Sequence, residues 1–369
     1  MLTQLKVSLK ARARTKYSIL LENGVLSNWQ SWLSIHCPDK QIVIITDKIV
    51  ENLYAYSFSK KLTNNGYNVL LLSIEPGEES KVQKTKEYLE LEMLKAKFGR
   101  NTLLIAFGGG IVGDLAGFVA ATYMRGIRYI QLPTTLLSMI DSSVGGKTAI
   151  NTPYGKNMIG VIYQPSLVVM DLSLLNSLSK VLIVNGLIEA LKIFLTLDNK
   201  SFTYARLNIN KLIEREPHSL KSVIARAVKL KVKVVRIDEF EENLRMILNF
   251  GHTIAHALEK LSNYHILHGY AVALGILVEA KISQLMGVLS SENYDLISRV
   301  FYSIGISKEM LSAFNADEVV SIAKGDKKNH GGKIFFILLK DIGEVYTKND
   351  RVATPVDEKY ILQAFNSLL

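Results

Sequence analysis

Lysines gathered where the backbone must bend, and histidines spaced as metal ligands are, give this chain its chemistry. The run Gly145-Gly146-Lys147-Thr148-Ala149-Ile150-Asn151-Thr152-Pro153-Tyr154-Gly155-Lys156-Asn157 holds Lys147, Lys156 and Asn157 in a segment with too many glycines for either a helix or a strand. Ammonium groups on a bent backbone suit a phosphate or carboxylate better than a core. Taken alone, the same stretch reads equally as a solvated surface loop. Further on, Asn249-Phe250-Gly251-His252-Thr253-Ile254-Ala255-His256 sets two imidazoles at i and i+4, on one face of a helix. His268 follows just before Gly269, and Glu189 stands in a separate helical segment with Lys192 about one turn on. Four of the seven histidines, His252, His256, His265 and His268, cluster here, which favours a site over scattered structural imidazoles. Three His and Glu ligands with one open position make a catalytic zinc arrangement. Spacing alone nominates His252 and His256 as the ligand pair.

A third signal is Gly108, Gly110 and Gly113, which satisfy G-x-G-x-x-G between a strand, Thr102 to Phe107, and a helical run, Asp114 to Met124. Glycines there let the backbone approach a pyrophosphate while the helix N-terminus supplies amide donors. The usual dinucleotide fingerprint wants an acidic residue about 20 positions later. Arg128 to Pro133 offers none, so Asp47, at the end of an earlier strand, is the candidate for the ribose. The other reading of the pattern is a tight structural turn.

These residues need a scaffold, and the first half of the chain alternates strand-like and helix-like segments. Gln41 to Asp47 and Tyr67 to Ile74 read as strands, the first followed by a helical pattern through Leu62 that ends at Asn64-Asn65-Gly66, and Pro76-Gly77 as a turn. Lys84 to Lys97 reads as a helix, with Gly99 suited to a left-handed cap. Thr102 to Phe107, Tyr129 to Leu132 and Leu167 to Asp171 are further strands. Apolar runs in β-α-β-α-β order predict a mostly parallel, Rossmann-like sheet covered on both faces. From about Ser173 helical periodicity takes over, in Leu182 to Leu197, Leu220 to Val235, His252 to Leu261, Ala271 to Met286 and Val319 to Lys324, with Lys333 to Leu339 as the one plausible strand. The division predicted is an α/β domain over 1–175 and a mainly α-helical domain over 176–369, with the active site in the cleft between them.

Composition narrows the function. A chain of 369 residues, 48% of them hydrophobic, can bury a full core. The single Cys37 excludes an intrachain disulfide framework and makes the reducing cytoplasm the expected compartment. Met1 to Lys6 lacks the apolar stretch of a secretory leader, and the apolar runs are too short to span a bilayer. The net charge of +10 is dispersed, without a basic tail, zinc-finger spacing or aromatic RNA-binding signature. A small anionic substrate, with no nucleic acid and no membrane, is the expected use of that charge.

At this point the chain resembles the 3-dehydroquinate synthases, within the sugar-phosphate cyclases. Gly108-Gly109-Gly110-Ile111-Val112-Gly113-Asp114 is similar to the family's nucleotide turn. Tyr123-Met124-Arg125-Gly126, Pro133-Thr134-Thr135, Asp141 to Thr148, Gly155-Lys156-Asn157, Gly186 to Glu189, Leu248 to Thr253 and Leu267-His268-Gly269 follow in the family's order, from about Thr46 to Gly343. The resemblance implies a homodimeric carbon–oxygen lyase using NAD and a divalent metal, zinc or alternatively cobalt, in aromatic amino acid biosynthesis by the shikimate pathway. Its substrate would be 3-deoxy-arabino-heptulosonate 7-phosphate, closed to 3-dehydroquinate by transient oxidation, β-elimination of phosphate, reduction and an intramolecular aldol step.

By matching position, the resemblance makes Glu189, His252 and His268 the metal ligands, with His256 a polar site residue instead. It assigns Arg125, Lys147, Asn157, Lys192, Lys231, Arg245, Asn249 and Lys328 to anions and hydroxyls. Asp47, Glu78, Lys81, Gly109, Gly110, Asp114, Thr134, Thr135, Asp141, Lys147 and Lys156 fall to the cofactor. Three departures stand out. Tyr270 replaces a usual glutamate beside His268, Ile49 stands where an asparagine is often found, and Ala255 replaces a glycine. The rival readings are a sister cyclase for a sugar phosphate without a carboxylate, a metal-dependent polyol dehydrogenase, and a catalytically decayed scaffold. Arg245 and Asn249 suit a carboxylate, and the lysine loop has no use in a polyol dehydrogenase.

Overall fold

Short apolar runs bounded by polar turns form strands when both their faces can be covered, and that is how the first half of this chain folds. The computed structural model describes residues 16–325 and 334–368. Its main sheet is built from β1 (Ser18–Glu22), β2 (Gln41–Asp47), β3 (Asn68–Ile74), β4 (Leu103–Gly108), β5 (Arg128–Pro133) and, beyond a hairpin of β6 (Lys147–Thr152) and β7 (Gly155–Ile162), β8 (Leu167–Asp171). The order is β1-β8-β5-β4-β2-β3, and every pairing is parallel. Side chains alternate between the two faces. Val43, Ile45, Leu104 and Ala106 pack with Leu89, Met93, Leu115 and Val119 on one side, from α3 (Gln83–Lys95) and α4 (Gly110–Thr122). Ile42, Ile44, Ile105 and Phe107 pack with Trp32, Phe58 and Leu62 on the other, from α1 (Trp29–His36) and α2 (Tyr56–Asn64).

The chain runs from β2 outward to β3 and then returns to place β4 on the other side of β2. That reversal opens a crevice beyond the carboxyl ends of β2 and β4, the usual place for a ligand in such sheets. Asp47 closes β2, and Gly109 follows β4, at its edge.

The second half is organised around α5 (Lys180–Leu197), buried continuously from Ile183 to Thr196 and so apolar on all sides. Against it pack α6 (Pro217–Ile237) and α8 (His268–Leu285), while α7 (His252–Leu261) packs on α8. Close crossings fix these helices. A Cβ on Gly275 of α8 would stand 2.0 Å from the carbonyl oxygen of Gly251, and Gly251 itself turns at φ 82 to start α7. Among the described residues no helix is long and apolar enough to cross a membrane.

Several local expectations are corrected. The segment from Gly145 to Asn157 is largely an antiparallel hairpin rather than a strandless loop: Lys147 to Thr152 pairs with Gly155 to Ile162. Its glycines shape the hairpin's ends and closest approach. Gly145 and Gly146 bend into β6 at φ 103 and 71, and a Cβ on Gly160 would meet the Thr148 carbonyl at 2.1 Å. The left-handed cap of α3 is Lys97 at φ 60, not Gly99, because the helix ends earlier. Phe98 donates to Met93 and Lys97 to Leu94, the paired bonds of a Schellman cap. β1 was not anticipated, since its five residues are only partly buried at the sheet edge. Beyond the Lys333–Leu339 expectation, β9 (Ile334–Ile337) pairs with β12 (Ala353–Val356) and β10 (Leu339–Asp341) with β11 (Glu344–Val345). Lys333 itself lies outside the described residues.

Candidate active site

A cleft of about 1280 Å³ begins at the crevice between β2 and β4 and extends to α7 and the start of α8. At the sheet end its wall is the N-terminus of α4, whose cap residue Gly109 carries no side chain to satisfy the first amides. Those amides and the helix dipole favour an anion. Gly110, Thr134 and Thr135 line the same wall, and Asp47 faces it from β2 while its Oδ1 accepts from Ile49 and Val50. Ile49 also lines this part of the cleft.

The Glu78–Ser80 turn is strapped to the hairpin. Asn151 Nδ2 donates to Glu78 Oε1 at 2.7 Å, and the Asn151 amide donates to the Lys81 carbonyl at 2.7 Å. Lys81, 4% exposed, pairs with Asp114 of α4 and donates to Asn157 Oδ1 at 2.6 Å. Burial pushes the Asp114 carboxyl up, against the opposing pull of Lys81.

The middle of the cleft is cationic, and its cations are already held by acids or carbonyls. Lys147 lies 2.6 Å from Glu241, whose other oxygen accepts from Asn249 Nδ2 at 2.8 Å. Lys231 projects from the apolar stripe of α6, between Val228 and Val234, and reaches Asp141 Oδ1 at 2.5 Å. Burial opposes charge on Asp141, but Lys231 and Lys192 outweigh it and hold the carboxyl well below its usual range. Arg245 is 2% exposed, with Nη1 donating to the Glu239 carbonyl and Nη2 to that of Gly145 at 3.1 Å.

At the far end Glu189, His252 and His268 offer ligand atoms within 4.8 Å of one another. Nε2 of His268 is 3.5 Å from Glu189 Oε1 and Nε2 of His252 is 3.9 Å from it. Glu189 is wholly buried and neither oxygen accepts a directed hydrogen bond, although Lys192 Nζ stands 2.5 Å from Oε2. Burial alone would keep His268 neutral, yet Glu189 and Glu259 push its pKa up to about 10. Two carboxylates converging on one imidazole call for a cation, and one carboxylate with two imidazoles is a donor set that fits a divalent metal.

Of the residues the sequence nominates, the cleft brings together Asp47, Glu78, Lys81, Gly109, Gly110, Asp114, Thr134, Thr135, Asp141, Lys147, Lys156, Asn157, Lys192, Lys231, Arg245, Asn249, His252, His256 and His268, with Glu189 beneath them. The spacing-based pair is not the tightest set. His256 shares the face of α7 with His252, ring centroids 5.6 Å apart, but the third ligand atom near His252 and His268 belongs to Glu189. Arg125 is exposed at φ 64 after α4 and does not line this chain's cleft. Lys328 lies outside the described residues.

Tyr270 is half-buried against the helical core and does not line the cleft. The carboxylate beside His268 is instead Glu259, whose Oε1 is 3.4 Å from Nδ1. Burial would raise Glu259, but His268 and Lys156 hold its carboxyl down at about 2. Sequence reasoning missed Glu241, Glu259 and Tyr264. Glu259 had a usable signal, since it stands seven residues after His252 and therefore on the same face of α7.

The 3-dehydroquinate synthase N-terminal family model matches residues 71–185, and the C-terminal one matches 186–329. A 3-dehydroquinate synthase from Thermodesulfovibrio yellowstonii is 39% identical over 343 residues, 93% of this chain and 95% of its own length. Among solved structures, a 2-deoxy-scyllo-inosose synthase complexed with carbaglucose-6-phosphate, NAD+ and Co2+ superposes with a TM-score of 0.87 at 26% identity, over 95% of this chain and 96% of that one. A 2-epi-5-epi-valiolone synthase from Streptomyces hygroscopicus subsp. jinggangensis with NAD+ and Zn2+ bound gives 0.86 at 25% identity, over 98% and 99%.

Proposed function

The chain belongs to the 3-dehydroquinate synthase family, and from that premise we propose that it is a carbon–oxygen lyase that closes 3-deoxy-arabino-heptulosonate 7-phosphate to 3-dehydroquinate with loss of phosphate. The observation that carries the reading is the placing of a helix N-terminus and a His–His–Glu cluster at opposite ends of one cleft, with buried cations between them. When bound, NAD removes and returns a hydride at one carbon while a divalent metal polarises the oxygen on it.

The protein's own part is to hold, orient and neutralise. Glu189, His252 and His268 would hold the metal, and zinc is the ion this donor set suits. The open N-terminus of α4, with Asp47, Glu78, Lys81, Thr134, Thr135 and Lys156, would hold the dinucleotide. Lys147 and Asn157, both lining the cleft, would hold the substrate phosphate. Asn157 has its Oδ1 occupied by Lys81, which leaves its amide donors for that anion. Lys231, Arg245 and Asn249 are grouped for the carboxylate. Because the lysines of the cleft are pre-paired, the substrate's anions enter a site already organised, and little reorientation is required at the moment of reaction. A departing phosphate held this way can itself take the neighbouring C–H proton, so no strong protein base is needed.

Supplying the heptulosonate phosphate with NAD and zinc, and measuring phosphate and dehydroquinate together, tests the reading. The two products form in equal amounts and NADH does not accumulate. NADH rising mole for mole with product would indicate a polyol dehydrogenase. Glucose 6-phosphate or sedoheptulose 7-phosphate cyclised faster than the heptulosonate would make it a sister cyclase.

Arg245 gives a sharper test of the carboxylate end. Its planar fork already spans two backbone carbonyls, and a lysine cannot span both while gripping a carboxylate. Arg245→Lys should lower kcat/KM for the heptulosonate phosphate by the loss of one charge-assisted contact, roughly 1.5–3 kcal/mol. Steady-state kinetics showing no change would remove Arg245 from substrate binding.

A further inference from the structure

Glu259 stands where the tip of the β6–β7 hairpin meets the metal-ligand cluster. It is 2% exposed, and its single oxygen Oε1 serves two partners: Nδ1 of His268 at 3.4 Å and Nζ of Lys156 at 3.0 Å. An imidazole that donates from Nδ1 keeps its Nε2 lone pair for a metal. Nε2 of His268 is the nitrogen turned toward Glu189, at 3.5 Å. Lys156 comes from the other half of the chain, and its ammonium also lies 4.3 Å from the ring centroid of Tyr264, in the connection between α7 and α8. Glu259 and Tyr264 thus grip one lysine of the hairpin from the helical side.

We propose that Glu259 is a positioning residue with two linked tasks: it orients His268 as a metal ligand, and it latches the hairpin tip over the cleft through Lys156. The inference rests on the metal-site reading above and deepens it. One carboxylate oxygen shared between a ligand imidazole and a lysine of the cofactor end ties the strength of the metal site to the position of that lysine. If the contact were only a bridge between the two halves of the chain, changing it would move stability and leave the metal untouched.

The test uses the full-length protein with zinc or cobalt alone. Zinc affinity is measured by chelator competition, and ligand geometry by the visible spectrum of the cobalt-loaded protein, for wild type, Glu259→Gln, Lys156→Met and the double variant. Glu259→Gln keeps the shape while removing the charge. It should weaken zinc binding roughly 10- to 100-fold, as loss of such an outer partner does, and shift the cobalt bands. Glu259→Asp, which restores the carboxylate, should recover part of the affinity. Lys156→Met should alter zinc affinity when Glu259 is present and lose that effect when it is Gln. Wild-type affinity and spectrum in Glu259→Gln would overturn the positioning role. An equal Lys156→Met effect in both backgrounds would overturn the link. Zinc affinity unchanged in Glu189→Ala is a different result: it would remove the metal site itself.

Discussion

Glu189→Ala is expected to abolish phosphate release and strip the protein of its metal, with little disturbance of the sheet half. The side chain is wholly buried on α5, and no solvent reaches either oxygen to substitute for a ligand. Removing it leaves Lys192, 2.5 Å from Oε2 and 1% exposed, as a buried ammonium without that partner beside two imidazoles. The site then changes from one that attracts a dication to one that repels it. His252→Ala should act in the same direction, since His252 and His268 face the same carboxylate. His256→Ala should slow turnover and retain the metal. Metal analysis of the three purified variants, alongside turnover, checks all of this. Full metal content in both Glu189→Ala and His252→Ala would refute the ligand set, and metal lost in His256→Ala would restore the i, i+4 pair.

That contrast shows what the sequence could and could not specify. The i, i+4 histidines correctly place two imidazoles on one face of α7 and toward one cleft. Periodicity says nothing, however, about which residue of another helix completes the set. That depends on α5 crossing α8, on which α7 is packed, and the crossing follows from close packing such as Gly269 against the Asn185 carbonyl, 2.1 Å from where a Cβ would lie. The buried strands were legible because each is a run of apolar residues with two covered faces, as in Gln41–Asp47. The hairpin was not, because its β7 face is largely exposed and its glycines suggest a loop until their pairing partners are known. Lys231 and Lys192 were nominated by resemblance, but a physical signal was available for the first: a lysine in the apolar stripe of an amphipathic helix must find a buried partner.

Lys231→Met is the second large effect, and it separates binding from stability. Asp141 keeps its charge in the folded protein largely through Lys231, with help from Lys192. Without Lys231 that carboxylate faces a partly buried site with one cation fewer. Removing one member of a buried pair costs roughly 3–5 kcal/mol, and the lower end applies here because the Asp141 side chain is 29% exposed. In the wild type the folded-state pKa of Asp141 lies below its unfolded value, so the pair's contribution is present at neutral pH and is lost as pH falls through the folded value. In the variant, burial wins over the weakened field and the carboxyl titrates higher, so acidification relieves it. The thermal midpoint of Lys231→Met should therefore fall by a few degrees at pH 7, and the gap to wild type should narrow toward pH 4. Turnover at pH 7 should drop further than stability explains, because Lys231 also faces the cleft as an anion binder. A difference in midpoint that stays constant with pH would show that Lys231 contributes packing alone, and wild-type kcat/KM at pH 7 would take it out of the substrate site.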